Sequence, residues 1–169
     1  MSEYEGVLRV VSQPWDPTVN PRVQTFSIAS SYALSPLGET ELLLPQPEDL
    51  RAVRFDGERA YAITAEVVVG DPLYTIDLSN PAQPQMVGML EMPGWVYHIE
   101  PRGDRLLTLG FDEQNPEGAL NVSLFDVSNM AAPTLMRRVA FGGNWSDFAE
   151  DQDRIHKAFK ILPELNLVL

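Results

Sequence analysis

Tyr74-Thr75-Ile76-Asp77-Leu78-Ser79-Asn80-Pro81-Ala82-Gln83-Pro84 returns later in the chain as Ser123-Leu124-Phe125-Asp126-Val127-Ser128-Asn129-Met130-Ala131-Ala132-Pro133. Asp77 and Asp126 stand 49 residues apart, and the Ser, Asn, Ala and final Pro keep that offset. In each copy a short apolar burst runs into Asp, Ser, Asn and Pro, residues that close a strand with a turn. A period of roughly 40–50 residues carrying several short strands marks a β-propeller blade.

Working outward from the repeated phrase, two full repeats can be laid strand by strand. The first has strands at 51–55, 60–64, 73–78 and 86–92. The second has them at 96–100, 105–109, 122–127 and 134–141. The turn between the first two strands is Asp56-Gly57-Glu58 in one repeat and Arg102-Gly103-Asp104 in the other, so Gly57 and Gly103 hold the same structural position. Asp-Gly is a hairpin signal because both residues tolerate positive φ.

Partial repeats flank this pair. Val23 to Ile28 aligns with the third strand, and Val7 to Val11 would be a second strand whose inner neighbour is missing. At the far end, 157–161 reads as a first strand and 165–169 as a second, with one helical turn expected near 145–151 under an Asn144 cap. The expected organisation is one β-propeller domain: an incomplete three-strand blade over 1–50, complete blades over 51–94 and 95–143, and an incomplete two-strand blade over 144–169. Propellers close with at least four blades, so this reads as a partial propeller whose natural domain extends further. Its open edges and faces would invite association, including a homo-oligomer in which copies close the ring.

Composition narrows the partners. Asp and Glu number 24 against 12 Lys and Arg, a formal charge of −12 that repels nucleic-acid backbones and anionic membranes. Cysteine is absent, which excludes disulfides, thiolate metal sites and thiol nucleophiles. Fourteen prolines and eleven glycines interrupt the chain too often for long helices. The stretch Met1 to Gly6 reads as no secretory signal, and no apolar run reaches the length of a membrane span.

Several phrases carry a resemblance. Asp-x-Ser-Asn-x-Ala-x-Pro after an apolar strand is similar to the repeat phrase of LVIVD-type propellers. Glu5 to Val11, Val53 to Tyr61, Asp71 to Leu78, Val122 to Ser128 and His156 to Phe159, in that order, resemble the bacterial secreted β-propeller-domain family, a distant relation of WD repeats. The resemblance spans nearly the whole chain. It implies a propeller and a secreted or cell-envelope setting, and it brings no biochemical activity with it. Family members carry a secretion signal and a longer propeller, and this chain shows neither.

The candidate chemistry is sparse. Asp77 and Asp126 are expected to be structural, each accepting backbone N–H groups of the following Ser-Asn turn. Trp95 and Trp145, 50 residues apart after Gly-containing segments, are expected to pack neighbouring blades, or to form a sugar-stacking platform if exposed. The loop over 111–118 gathers oxygen ligands, with Asp112 and Glu117 the calcium candidates, although its spacing is not that of an EF-hand and an acidic hairpin loop explains it as well. The only two histidines, His98 and His156, fall on or beside inner strands and with Glu100 or Asp153 could hold zinc; a hydrogen-bonded structural histidine is the competing reading. The acidic run Asp147, Glu150, Asp151 and Asp153 reads as a solvated loop. No nucleophile elbow, phosphate loop or dinucleotide fingerprint occurs.

The expectation is therefore an all-β chain of about three four-stranded antiparallel β-propeller blades, with no cofactor. It would be a non-catalytic scaffold for a protein or polysaccharide partner, part of a larger propeller. A calcium- or zinc-binding or hydrolytic propeller built on His98, His156 and carboxylates is the alternative, and a truncated remnant without independent function is the third reading.

Overall fold

In the computed structural model, the described residues are 1–16, 18–44, 49–65, 72–92, 94–112, 114–115, 119–143, 160–165 and 167–168. They form three four-stranded antiparallel sheets and one two-stranded pair. The first sheet runs in the order β1 (Ser2–Tyr4), β2 (Val7–Ser12), β3 (Arg22–Ser30) and β4 (Ala33–Glu41). The second comprises β5 (Asp49–Asp56), β6 (Arg59–Ala65), β7 (Leu73–Asp77) and β8 (Gln85–Leu90). The third comprises β9 (Trp95–Arg102), β10 (Arg105–Phe111), β11 (Leu120–Asp126) and β12 (Thr134–Phe141). The pair is β13 (Ile161–Leu162) with β14 (Leu167–Val168), joined through a 3-10 turn over Pro163–Leu165. Each sheet is an up-and-down meander of consecutive strands, as a propeller blade requires.

The first blade corrects the strand count. It has four strands, because Ser2–Tyr4 supplies the inner strand that the sequence reading leaves out, pairing Ser2 with Arg9 and Tyr4 with Val7. Three residues, two polar and one aromatic, carry too little apolar pattern to be read as a strand without the partner that pairs them. The expected helical turn at 145–151, and the start of the strand expected at 157–161, lie outside the described residues.

Blade order follows from which faces are buried. On β7, Leu73, Tyr74, Thr75 and Ile76 are all buried, the pattern of a strand covered on both sides. On β3 and β11, burial alternates over Val23 to Phe26 and over Asn121 to Phe125. The second blade is thus packed between the other two. One core joins the first and second blades through Val23, Leu42, Ala60, Ala62, Tyr74, Ile76 and Leu78. The other joins the second and third through Tyr61, Ile63, Leu73, Met92, Val96, Ile99, Leu106 and Phe125.

The same local irregularity recurs in every blade. A β-bulge separates Thr25 from Phe26, Thr75 from Ile76 and Leu124 from Phe125, with two strand residues after it in β7 and β11 and five in β3. The inner hairpins differ in detail from the Asp-Gly expectation. Gly57 and Gly103 are the first central residues and carry φ of 53° and 60°, while Asp56 and Arg102 stay in the strands. In the first blade Glu5 occupies that place at φ 51°, followed by Gly6 at 76°.

Candidate functional site

The repeated phrase builds the same turn twice. Asp77 accepts the Ser79 N–H at 2.8 Å, and Asn80 accepts the Ala82 N–H at 3.1 Å. Asp126 accepts the Ser128 N–H at 2.9 Å, and Asn129 accepts the Ala131 N–H at 3.2 Å. Hydrogen bonds from Ser128 hold the Asp126 carboxyl below the usual carboxylate range, aided by Arg105. Two successive Asx turns bend the chain sharply and leave backbone carbonyls facing outward.

Those carbonyls dock on the preceding blade. Thr25 Oγ1 donates to the Pro81 carbonyl, and Thr75 Oγ1 donates to the Met130 carbonyl at 2.6 Å. Each threonine is paired across the sheet with a glycine, Thr25 with Gly38 and Thr75 with Gly88. The absent side chain matters: a Cβ at Gly38 would lie 2.6 Å from the Ala82 oxygen, and one at Gly88 would lie 2.8 Å from Thr75 Oγ1. A threonine and a glycine thus make a notch that receives the next blade's turn.

A second contact closes the other edge of each joint, near the inner strands. Arg9 donates to the Gly57 carbonyl, and Arg59 donates to the Gly103 carbonyl at 3.1 Å and pairs with Asp104 at 3.0 Å. Arg9 is buried, with its guanidinium carbon 5.2 Å from the Tyr4 ring centroid and 5.0 Å from that of Phe55. Aromatic faces on both sides offset the loss of water around this cation.

His98 sits on inner strand β9, buried, in a row of charges. Its Nδ1 lies 3.4 Å from Arg54 on the neighbouring inner strand β5, and its Nε2 lies 3.7 Å from the Glu100 carboxylate. Arg102 faces the other Glu100 oxygen at 3.4 Å. Two guanidiniums flank the one histidine and one carboxylate, a set richer in cations than a divalent metal favours. His156, Glu117 and Trp145 lie outside the described residues.

Asp112 follows β10 and accepts the Gln114 N–H at 3.1 Å. Its other oxygen lies 4.0 Å from Arg138, and both side chains are largely buried. Burial pulls the Arg138 guanidinium's pKa down, and Asp112 opposes that shift. Arg138 Nε donates to Ser123 Oγ at 2.9 Å, and Ser123 donates in turn to buried Asn121 at 3.3 Å. Among the described residues no group of three or more His, Cys, Asp or Glu is placed to hold a metal. Trp95 stacks on Phe111 of its own blade, with ring centroids 5.9 Å apart, and half its surface is exposed.

Sequence reasoning missed the threonine–glycine notch, although the sequence holds the signal: Thr25 and Gly38 recur 50 residues later as Thr75 and Gly88. It also missed Arg138, which sits in an exposed outer strand, and Trp15, which is fully exposed in the β2–β3 loop. Single residues without a repeat give no spacing to find them by.

Comparison with known proteins agrees with the sheets. A family model described as "Beta propeller domain" matches residues 1–169. An uncharacterised protein of Methanocaldococcus jannaschii is 31% identical over 98% of this chain, which covers 26% of that protein. An uncharacterised protein of Archaeoglobus fulgidus is 29% identical over 94% of the chain, covering 23% of its length. The chain thus spans about a quarter of these relatives, and both are archaeal, where the resemblance implied bacterial proteins. Three meandering four-stranded sheets, joined blade to blade by one repeated device, and a family match along the full chain lead to one assignment: the chain belongs to the beta propeller domain family.

Proposed function

We propose that this chain is a non-catalytic propeller scaffold, part of a larger propeller, that binds a protein or a surface polymer through its loops. The observation that carries this reading is where the polar groups go. The side chains that recur from blade to blade, Asp77, Asp126, Thr25, Thr75, Arg9 and Arg59, are engaged in turns and blade joints. Among the described residues, the loop between β2 and β3 offers a partner Trp15, which projects fully into solvent beside Asp16 and Thr18. An indole of this kind stacks on a sugar ring or an apolar side chain. With a formal charge of −12, the chain suits a neutral or basic partner. The resemblance supports a secreted or cell-envelope setting, which cell fractionation tests.

Affinity electrophoresis through gels of neutral polysaccharides, and titration with basic peptides, test the reading. Retardation that Trp15→Ala removes, with unfolding unchanged, supports it; full retention of binding by that variant counts against the loop. The second reading is a zinc or calcium propeller, favoured by the approach of His98 to Glu100. A rise in Tm with either ion that His98→Ala or Asp112→Asn removes would support it.

A further inference from the structure

Trp15 stands at the head of a turn that is closed by its own hydrogen bonds. Asp16 Oδ1 accepts the Thr18 N–H at 2.9 Å and the Thr18 hydroxyl at 2.7 Å. The Val19 N–H donates to the Asp16 carbonyl at 3.1 Å. The Thr18 hydroxyl, and then its N–H, hold the Asp16 carboxyl below the usual carboxylate range, so it stays ionised into acid. The loop is also tied at its base. The Leu50 N–H of β5 donates to Gln13 Oε1 at 2.6 Å, and the Leu42 N–H donates to the Pro21 carbonyl at 2.9 Å. An indole on such a loop, with few torsions of its own, has little freedom left to lose on binding.

The charge around this loop is of one sign. Residues 1–44, which carry the first blade, hold five carboxylates, Glu3, Glu5, Asp16, Glu39 and Glu41, against two guanidiniums, Arg9 and Arg22. Arg9 is buried against the Tyr4 and Phe55 rings. Arg22 is taken up by Glu39 and Glu41, each at 3.1 Å. Both side-chain bonds of Asp16 fall on Oδ1, and the residue is exposed, which leaves Oδ2 as an acceptor. Neighbouring Cα atoms lie about 3.8 Å apart, so one cation can meet the indole and this carboxylate together.

We infer that this loop takes an Arg or Lys side chain of a basic protein segment, with the cation over the Trp15 ring and against Asp16 Oδ2. The inference rests on the scaffold reading above and names its partner. Among aromatic rings, indole attracts a cation most strongly. The adjacent carboxylate adds to that attraction, whereas an apolar side chain would gain nothing from it and would have to approach a charge. A neutral sugar would draw on the ring and on one acceptor. It would draw nothing from the formal charge of −12, which steers a basic segment toward the chain. The contact is small and exposed, so it sets which partner docks and where more than how tightly.

Calorimetric titration of the full chain with a Gly-Arg repeat peptide, its citrulline counterpart and a neutral glucose hexamer tests this. The arginine peptide is expected to bind, and the uncharged citrulline peptide and the hexamer are not. Trp15→Ala and Trp15→Leu should each weaken the arginine peptide by about two- to fivefold, the range of an exposed cation–π contact. Asp16→Asn keeps the Oδ1 acceptor and loses only the charge. It should weaken binding by about twofold at low salt and by less as salt screens the pair. Glu91→Gln removes the same charge from an exposed site outside the first blade and should leave binding unchanged. Circular dichroism melts matching the parent establish that the variants fold. Equal binding by Trp15→Leu and the parent, or an equal loss in Glu91→Gln and Asp16→Asn, overturns the cation and leaves the loop scaffold standing. So does binding of the hexamer alone that Trp15→Ala removes. A chain that binds none of the probes, or a Trp15→Ala variant that binds them as the parent does, overturns both.

Discussion

Gly88→Ala is the sharpest probe of the joints. The added methyl would fall inside van der Waals contact with the Met130 carbonyl oxygen, 2.8 Å from Thr75 Oγ1 and 3.1 Å from the Ala131 carbonyl carbon. Two of these three atoms are backbone held by the double Asx turn, so they cannot swing aside as a long side chain would. Overpacking of this kind costs about 1–3 kcal/mol. Displacing Met130 also breaks its 2.6 Å hydrogen bond with Thr75, about 1 kcal/mol net. Alanine returns about 0.4–1 kcal/mol by restricting the unfolded chain. The expected loss is about 2–3 kcal/mol, which for a domain of this size lowers Tm by about 4–12 °C. Urea unfolding of the parent and of Gly88→Ala measures it, with Gly143→Ala as control because nothing lies within 4 Å of its added methyl. Thr75→Val in the Gly88→Ala background should add less than it does alone, since both act on one contact. A Gly88→Ala chain within about 0.5 kcal/mol of the parent, the range of ordinary surface changes, would refute the notch.

Three further outcomes are expected. Asp77→Ala removes the acceptor of the Ser79 N–H and should cost about 1 kcal/mol in urea unfolding, the usual loss for an Asx-type cap. The depressed pKa of Asp126 makes its contribution fully present above the unfolded carboxylate value of about 3.9 and lost as pH falls through the lower folded value. Thermal melts between neutral and strongly acidic pH should therefore converge for Asp126→Asn and the parent only at the acidic end. Glu5→Gly should raise Tm slightly, because relieving a left-handed non-glycine residue gains about 1–2 kcal/mol and glycine's flexibility gives back about 0.5–1 kcal/mol.

Much of the fold was legible because the chain repeats itself. The Asp77 and Asp126 phrases gave the register, and the third strand of each blade followed from it. The Asx turns were legible for the same reason, since Asp, Ser and Asn at fixed offsets carry their own hydrogen-bonding logic. The first strand of the first blade was not legible, because Ser2–Tyr4 is a strand only through its pairing with β2. The setting of Asp112 was hidden in a different way. An acidic loop suggests a cation, and the sequence shows Asp112 without showing that Arg138, across two strands, supplies it. Likewise the row of Arg54, His98, Glu100 and Arg102 draws on two blades, and adjacency of inner strands is a property of packing and not of spacing.

The two contacts at each joint also set how the blades depend on one another. Arg9 and Arg59 hold the inner edge, Thr25 and Thr75 hold the outer edge, and an apolar core lies between them. An array joined in this way behaves as neighbours coupled in series, so damage at one joint weakens that joint and leaves the next largely intact. Hydrogen exchange can separate the joints. In Gly88→Ala, the protection lost should concentrate where the second blade meets the third, in β7, β8 and the turn over 126–133. The β2 and β3 amides of the first blade, held across the Thr25–Gly38 joint, should keep theirs. Equal loss in both regions would mean that the three blades unfold as one unit, with coupling carried by the cores and not by the notches.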